Sequence, residues 1–114
     1  MINFACKNFD LDKVIKCSLS LTKSEYNILK LLMNSEKNLS SEEVSTKINV
    51  DLSTAQRSLK KLREKKLIER NQINLSPGGY VFLYKAKNKD EIKNKILETI
   101  TLWTKKLDAE LKNM

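Results

Sequence analysis

Basic side chains concentrate in one segment of this 114-residue chain. Between Thr54 and Lys66 there are six lysines or arginines and a single acid, Glu64, so this segment carries five of the eight net positive charges. The six are Arg57, Lys60, Lys61, Arg63, Lys65 and Lys66. Such groups bind phosphates and base edges, which makes a polyanionic partner the favoured interpretation. The alternative is a solvated helix face with no partner.

The spacing of the apolar residues in this segment predicts how it is oriented. Ala55, Leu59 and Leu62 recur four and three residues apart, as on one face of a helix. The outward face would then carry Thr54, Gln56, Arg57, Lys60 and Lys61. Arginine suits guanine and glutamine suits adenine, while Lys60, Lys61 and Ser53 would hold the phosphate backbone. For Gln56, closing a helix cap that begins at Ser53 is an equal alternative to base readout.

Three capping boxes predict where helices begin. They are Thr22-Lys23-Ser24-Glu25, Ser40-Ser41-Glu42-Glu43 and Ser53-Thr54-Ala55-Gln56. In each, a hydroxyl and a side chain three residues later can satisfy unpaired backbone amides. Asn49 tolerates the left-handed conformation that ends a helix, so only Asn49 to Leu52 join the last two helices. Capped helices across so short a connection predict a helix-turn-helix.

After the basic helix the apolar period changes from helical to alternating. Leu67 to Ile73 and Tyr80 to Ala86 are predicted strands, and Ser76-Pro77-Gly78-Gly79 between them predicts a type II turn. The two strands and the turn between them would form a β-hairpin, or wing. The alternating Tyr80, Phe82 and Tyr84 are interpreted as core, with a stacking platform for single strands or RNA as the alternative.

The ends of the chain predict further helices. Leu11 to Cys17 carries a short apolar pattern, and residues from Lys89 onward form a helix of about 36 Å. The apolar stripe of this helix is longer than a small core can bury, so we predict that it forms a dimer interface. The alternative is that the stripe completes the chain's own core. The predicted dimerisation residues are Ile96, Ile100, Trp103, Leu107 and Leu111.

Several classes of function are disfavoured by composition. The chain has no histidine and two cysteines, which excludes His-dependent catalysis and a Cys/His zinc finger, so no enzyme activity, metal or cofactor is expected. Cys6 and Cys17 are predicted to be free and buried, and a redox sensor is the less favoured alternative. No apolar run approaches a membrane span and no basic signal region is seen, so a cytoplasmic location without membrane contact is expected.

The chain resembles winged-helix regulators of the MarR and TrmB-like type between about Leu21 and Lys87. The resemblance lies in Leu21-Thr22-x-x-Glu25-x-x-Ile28-Leu29-x-x-Leu32, in Ser41-Glu42-Glu43-Val44-Ser45-x-Lys47-Ile48-Asn49-Val50, and in Ser53-Thr54-Ala55-Gln56-Arg57-x-Leu59-Lys60-Lys61-Leu62-x-Glu64-Lys65-x-Leu67-Ile68-Glu69-Arg70. It implies a dimeric transcriptional regulator with Ser53, Thr54, Gln56, Arg57 and Lys61 facing DNA. It also implies that Arg70 and the hairpin loop lie near the DNA backbone.

Two positions depart from the family pattern. Lys66 stands where the family usually has glycine, and the wing tip from Gln72 to Gly79 has no basic residue. A tip of this composition would contact phosphates through amides and polar side chains rather than insert a cation into the minor groove.

The sequence therefore predicts a mostly helical α+β winged helix in three parts. These are an N-terminal dimerisation support (1–20), a winged helix-turn-helix (21–87) and a C-terminal dimerisation helix (88–114). The predicted function is binding of double-stranded DNA by a homodimer that regulates transcription, most simply by repression, with about Ser53–Lys66 in the major groove. A protein-interaction module and RNA or single-strand binding are the alternatives. No residue pattern identifies a small-molecule effector.

Overall fold

The computed structural model describes residues 2–114, which form two hairpins and five helices. In chain order they are β1 (Ile2–Phe4), β2 (Lys7–Phe9), α1 (Leu11–Leu19), α2 (Lys23–Asn34), α3 (Ser41–Ile48), α4 (Leu52–Glu64), β3 (Ile68–Asn74), β4 (Tyr80–Ala86) and α5 (Lys89–Lys112). Two compact units result. One contains the residues through Leu21 together with Asp90–Met114, and the other contains Thr22–Lys89.

The first two predicted capping boxes are confirmed. The backbone N–H of Glu25 donates to Thr22 Oγ1, and the backbone N–H of Thr22 donates to Glu25 Oε1, both at 3.2 Å. Ser40 and Glu43 exchange the same two bonds at 3.1 and 3.2 Å and start α3. Asn49 ends α3 with a φ of 62°, in the left-handed conformation expected of it.

The start of α4 differs from the predicted box at Ser53. Asp51 is the N-cap, because the Ala55 N–H bonds the Asp51 carbonyl at 3.0 Å and thereby includes Leu52 and Ser53 in the first turn. The hydroxyls of Ser53 and Thr54 donate to the Asp51 carboxylate. The prediction of a capping box closed by Gln56 is therefore wrong, and Gln56 lies in the second turn of the helix.

The end of α4 is also shorter than predicted. The helix stops at Glu64, and Lys66 has a φ of 62°, so a lysine occupies the left-handed corner between α4 and β3. The Leu67 N–H bonds the Leu62 carbonyl at 3.0 Å and closes this corner. A side chain with a Cβ is disfavoured in this conformation compared with glycine.

The antiparallel hairpin of β3 and β4, called the wing below, confirms the predicted strands to within one residue. Arg70 pairs with Tyr84 and Gln72 with Phe82. On the other side of β4, Leu39 exchanges two backbone hydrogen bonds with Tyr84, at 2.7 and 3.0 Å. Thus β4 lies between β3 and the residue that precedes the cap of α3.

The wing turn does not follow the predicted type II pattern. That turn requires a positive φ at Gly78, whereas the positive φ of 85° belongs to Gly79. The Leu75 N–H bonds the Gly79 carbonyl at 2.9 Å. Adjacent glycines both tolerate positive φ, so the sequence pattern alone does not select between them.

The core of the Thr22–Lys89 unit is formed by α2, α3, α4 and β4. Its largest fully buried side chains are Ile28, Leu29, Leu39, Val44, Leu59, Leu62 and Leu67. Glu25 is also buried, at 7% exposure, and lies 3.6 Å from the Lys65 ammonium group. The predicted inward face of α4, formed by Ala55, Leu59 and Leu62, is therefore part of this core.

The other unit contains a hairpin that the sequence did not predict. Its strands β1 and β2 are three residues each, and the rings of Phe4 and Phe9 meet edge to face at 6.2 Å. Cys6 lies in the two-residue connection of this hairpin and Cys17 lies on α1; both thiols are free and exposed. The prediction that they are buried is wrong, because the hairpin connection and this face of α1 are left uncovered within the described chain.

Candidate nucleic-acid interface

The second helix of the helix-turn-helix, α4, separates its apolar and polar side chains as the spacing predicts. Its buried residues are Ala55, Ser58, Leu59 and Leu62. Its exposed face contains Ser53, Gln56, Arg57, Lys60 and Lys61, and Thr54 is half-buried at the edge of that face. The polar and basic side chains singled out from the sequence thus lie together on one accessible surface.

The N-terminal turn of α4 holds a chain of hydrogen bonds that sequence reasoning missed. Arg57 Nη2 donates to Thr54 Oγ1 at 3.3 Å, and that hydroxyl donates to the Asp51 carboxylate. The hydroxyls of Ser53 and Thr54 hold the pKa of Asp51 at about 2. The signal that could have revealed Asp51 was its N-cap residue type, two positions before the predicted cap.

The basic residues of the segment do not all share this surface. Lys65 forms an ion pair with the buried Glu25, and only 31% of its side chain is exposed. Arg63 is half-buried and Lys66 occupies the left-handed corner. The exposed cationic groups on the face of α4 are therefore Arg57, Lys60 and Lys61.

The wing presents one stacked arginine. The Arg70 guanidinium carbon lies 4.0 Å from the centre of the Phe82 ring, and Tyr80 packs edge to face on that ring at 5.1 Å. Glu69 lies 3.1 Å from Lys87 and 3.5 Å from Lys85. The Lys87 ammonium group, with a smaller effect from Lys85, lowers the pKa of the Glu69 carboxyl.

The aromatic stripe of β4 is only partly core. Tyr84 is buried, at 8% exposure, whereas Tyr80 is 58% exposed and Phe82 is half-buried. The core interpretation is therefore right for Tyr84 and wrong for Tyr80, because Tyr80 lies next to the turn, at the tip of the hairpin.

The predicted dimerisation residues lie on α5 and are mostly accessible. Ile96 is half-buried, and Ile100, Trp103, Leu107 and Leu111 are 40 to 56% exposed.

The helices and the acidic side chains of residues 2–114 bear on two other kinds of site. None of these helices combines the length and the hydropathy of a membrane span. The acidic and cysteine side chains of the same residues do not form a group of three or more that could hold a metal ion.

Comparison with known proteins identifies the family and the fold. The family model described as sugar-specific transcriptional regulator TrmB matches residues 15–90. A solved structure of a possible transcriptional regulator from Methanosarcina mazei Go1 is 43% identical, with a TM-score of 0.91, over 99% of this chain and 95% of that one.

More distant solved structures share the fold. MarR is 25% identical with a TM-score of 0.56, over 87% of this chain and 73% of that one. A mutant of MepR from S. aureus, bound to an oligodeoxyribonucleotide, is 17% identical with a TM-score of 0.58, over 90% and 72%. These matches confirm the predicted α+β winged helix and the TrmB and MarR resemblance. The chain belongs to the TrmB family of transcriptional regulators.

Proposed function

We propose that this chain binds double-stranded DNA as a homodimer in the cytoplasm and regulates transcription, with α4 in the major groove. The observation that carries the proposal is the accessible face of α4, where Gln56, Arg57, Lys60 and Lys61 lie together opposite a buried apolar face. In a helix-turn-helix the second helix is the one that enters the groove. Repression is the simplest outcome, since a bound dimer blocks access to the DNA it covers.

The side chains of this face divide into two roles. Arg57 and Gln56 would read base edges, because their two-pronged donor patterns match guanine and adenine. The revised start of α4 favours this role for Gln56, whose amide is not used by a helix cap. Lys60, Lys61 and Ser53 would contact phosphates, and Thr54 would orient Arg57 through the 3.3 Å hydrogen bond.

Duplex DNA is favoured over single strands or RNA by the state of the aromatic strand. A stacking platform needs several open rings in a row. Here Tyr84 is buried and the Phe82 ring is covered by Arg70, which leaves the Tyr80 ring exposed. The oligodeoxyribonucleotide bound to MepR, which shares the fold, adds support for DNA as the partner.

The exposed stripe on α5 supports the homodimer. Ile100, Trp103, Leu107 and Leu111 recur three and four residues apart, so they lie along one side of the helix. Exposed apolar surface of this extent favours a partner, and a second copy gives two-fold symmetry. Such a dimer would present two recognition helices about 34 Å apart to a pseudo-palindromic site.

The test of DNA binding begins with duplexes selected from a random pool by the purified protein. Titration of the selected duplex over a series of salt concentrations should give a slope of about −5 when the logarithm of the binding constant is plotted against the logarithm of the salt concentration. This slope is called the salt slope below. This value follows from three cations per protomer that would neutralise phosphates (Lys60, Lys61 and, on the wing, Arg70), two protomers, and about −0.9 per neutralised phosphate; an uncharged hydroxyl does not add to the slope. Equal affinity for single strands, or binding that salt does not weaken, would contradict the proposal.

The dimer is tested by placing a charge on the exposed stripe of α5. Trp103→Glu should convert a micromolar dimer into a monomer in sedimentation velocity, because the carboxylate cannot be buried unpaired. Thr101→Glu is the matched control, since residue 101 lies about 200° around the helix from residue 103. A wild-type monomer at this concentration would refute the homodimer.

A further inference from the structure

Arg70 and Phe82 form a diagonal pair on one face of the wing. Arg70 lies opposite Tyr84, and Phe82 lies opposite Gln72, so Arg70 and Phe82 are diagonal neighbours across the ladder. The guanidinium carbon is 4.0 Å from the ring centre, within the range of a cation–π interaction. The Tyr80 ring meets the Phe82 ring at 65°, so Phe82 is held from its edge as well.

Arg70 differs from the lysines near it because it is not paired with a carboxylate among residues 2–114. Lys85 and Lys87 both bind the Glu69 carboxylate, and the Glu69–Lys85 pair lies on the opposite face of the ladder. Within residues 2–114, Arg70 has no carboxylate partner, and it is exposed. The wing tip from Gln72 to Gly79 contributes no cation. Arg70 is therefore the wing's available positive charge.

We propose that Phe82 is a positioning residue that holds Arg70 ready for a phosphate, so that the wing's cationic contact with DNA comes from this single arginine. This inference rests on the proposed function and deepens it. A guanidinium stacked on a ring keeps its in-plane N–H donors available for a phosphate. Holding it there before binding also reduces the side-chain freedom that is lost on binding.

A double-mutant cycle tests the proposal. Arg70→Ala should reduce the salt slope by about 0.9 per protomer, or about 1.8 per dimer. Phe82→Leu keeps an apolar side chain but removes the ring, and should weaken affinity about 2- to 5-fold per protomer, the range of an exposed cation–π interaction. Phe82→Tyr keeps the ring and should restore nearly wild-type affinity. With Arg70 already replaced by alanine, Phe82→Leu should cause no further loss.

Two measurements separate positioning from a general effect on the hairpin. In the free protein, Phe82→Leu should remove the ring-current shift of the Arg70 δ protons in NMR spectra, and Phe82→Tyr should keep it. The matched control is Lys85→Ala, which removes an equal charge from the same hairpin but one that is paired with Glu69. It should change the salt slope by less than half as much as Arg70→Ala. Should Phe82→Leu lower the melting temperature markedly, Phe82→Met serves in the same cycle.

The outcomes distinguish this inference from the proposed function. A loss on Phe82→Leu that persists with alanine at position 70, or a failure of Phe82→Tyr to restore binding, would overturn the positioning role alone. Wild-type binding with an unchanged salt slope in Arg70→Ala would overturn the phosphate contact. A wild-type protein without affinity for the selected duplex would overturn the proposed function, and this inference with it.

Discussion

Replacing Arg57 by alanine tests whether α4 reads bases. The guanidinium group is exposed at the N-terminal end of the recognition face, and its Nη2 donates to Thr54 Oγ1 at 3.3 Å. A bidentate arginine–guanine pair contributes about 1–3 kcal/mol of discrimination. The variant should therefore bind the selected duplex about 5- to 150-fold more weakly per half-site, and a symmetric dimer incurs this loss twice.

Two titrations at one salt concentration measure the effect. Fluorescence anisotropy gives the affinity of wild type and variant for the selected duplex and for a random duplex of equal length. The ratio of the two affinities should fall, and selection with the variant should relax the choice at one base position in each half-site. Arg57→Lys keeps the charge without the two-pronged donor pattern and should lose most of the same discrimination.

The control is Lys30→Ala, which removes an exposed charge from α2, where Lys30 lies over the Tyr26 ring. Its affinity should stay within about twofold of wild type, as expected for a surface charge outside the interface. Equal losses of Arg57→Ala on selected and random duplexes would refute base readout and reassign the side chain to a phosphate. No loss on either duplex would refute the placement of α4 in the groove.

Three further predictions concern the helix ends and the thiols. Lys66→Gly should raise the free energy of unfolding by up to about 1 kcal/mol in urea titrations, because glycine adopts the left-handed corner without a Cβ clash; a loss of stability would contradict this. The pKa of Asp51 is lowered to about 2 in the folded chain. Its contribution to stability is thus fully present above pH 4 and is lost as pH falls through about 2, and NMR titration of its carboxyl carbon should give this midpoint. A midpoint near 4 would show that the hydroxyls of Ser53 and Thr54 do not bind it. Mild peroxide should leave DNA affinity unchanged although Cys6 and Cys17 are exposed; a reversible collapse of affinity would make one of them a redox switch.

The helix-turn-helix was predictable because its signals are local. Thr22 with Glu25 and Ser40 with Glu43 are fixed by spacings of three residues within single turns, and the structure forms both boxes. Asn49 likewise ends α3 through its own backbone preference. The inward face of α4 followed from a helical period sustained over several residues, which a short sequence window contains in full.

The features that could not be predicted from the sequence are of two kinds. In some, two neighbouring residues suit the same structural role about equally well; in others, the structure depends on which residues pair across two strands. Asp51 and Ser53 are both good N-cap residues, and the hydrogen bond from Ala55 decides between them. The β1–β2 hairpin has three-residue strands joined by Ala5-Cys6, a pair without a turn preference. At the site, the exposure of single side chains on α4 was predictable from its period.

The contact between Arg70 and Phe82 was not predictable in this way. These residues are twelve positions apart, and only the register of β3 and β4 makes them neighbours. Register depends on the turn, and the two adjacent glycines left the turn ambiguous.

The Leu39–Tyr84 bridge has a consequence for how the protein would select its operator. Both residues are buried and exchange two backbone hydrogen bonds, so the wing is fastened to the start of α3 before DNA arrives. Amide hydrogen exchange at these two positions should report opening of the whole Thr22–Lys89 unit, whereas Asn74, next to the exposed turn of the wing, should exchange through local fraying. Because these hydrogen bonds hold the wing in place, the distance between α4 and Arg70 is fixed. The DNA duplex must then deform to contact both, so operators would be selected partly for groove width and for ease of bending at base pairs that no side chain touches.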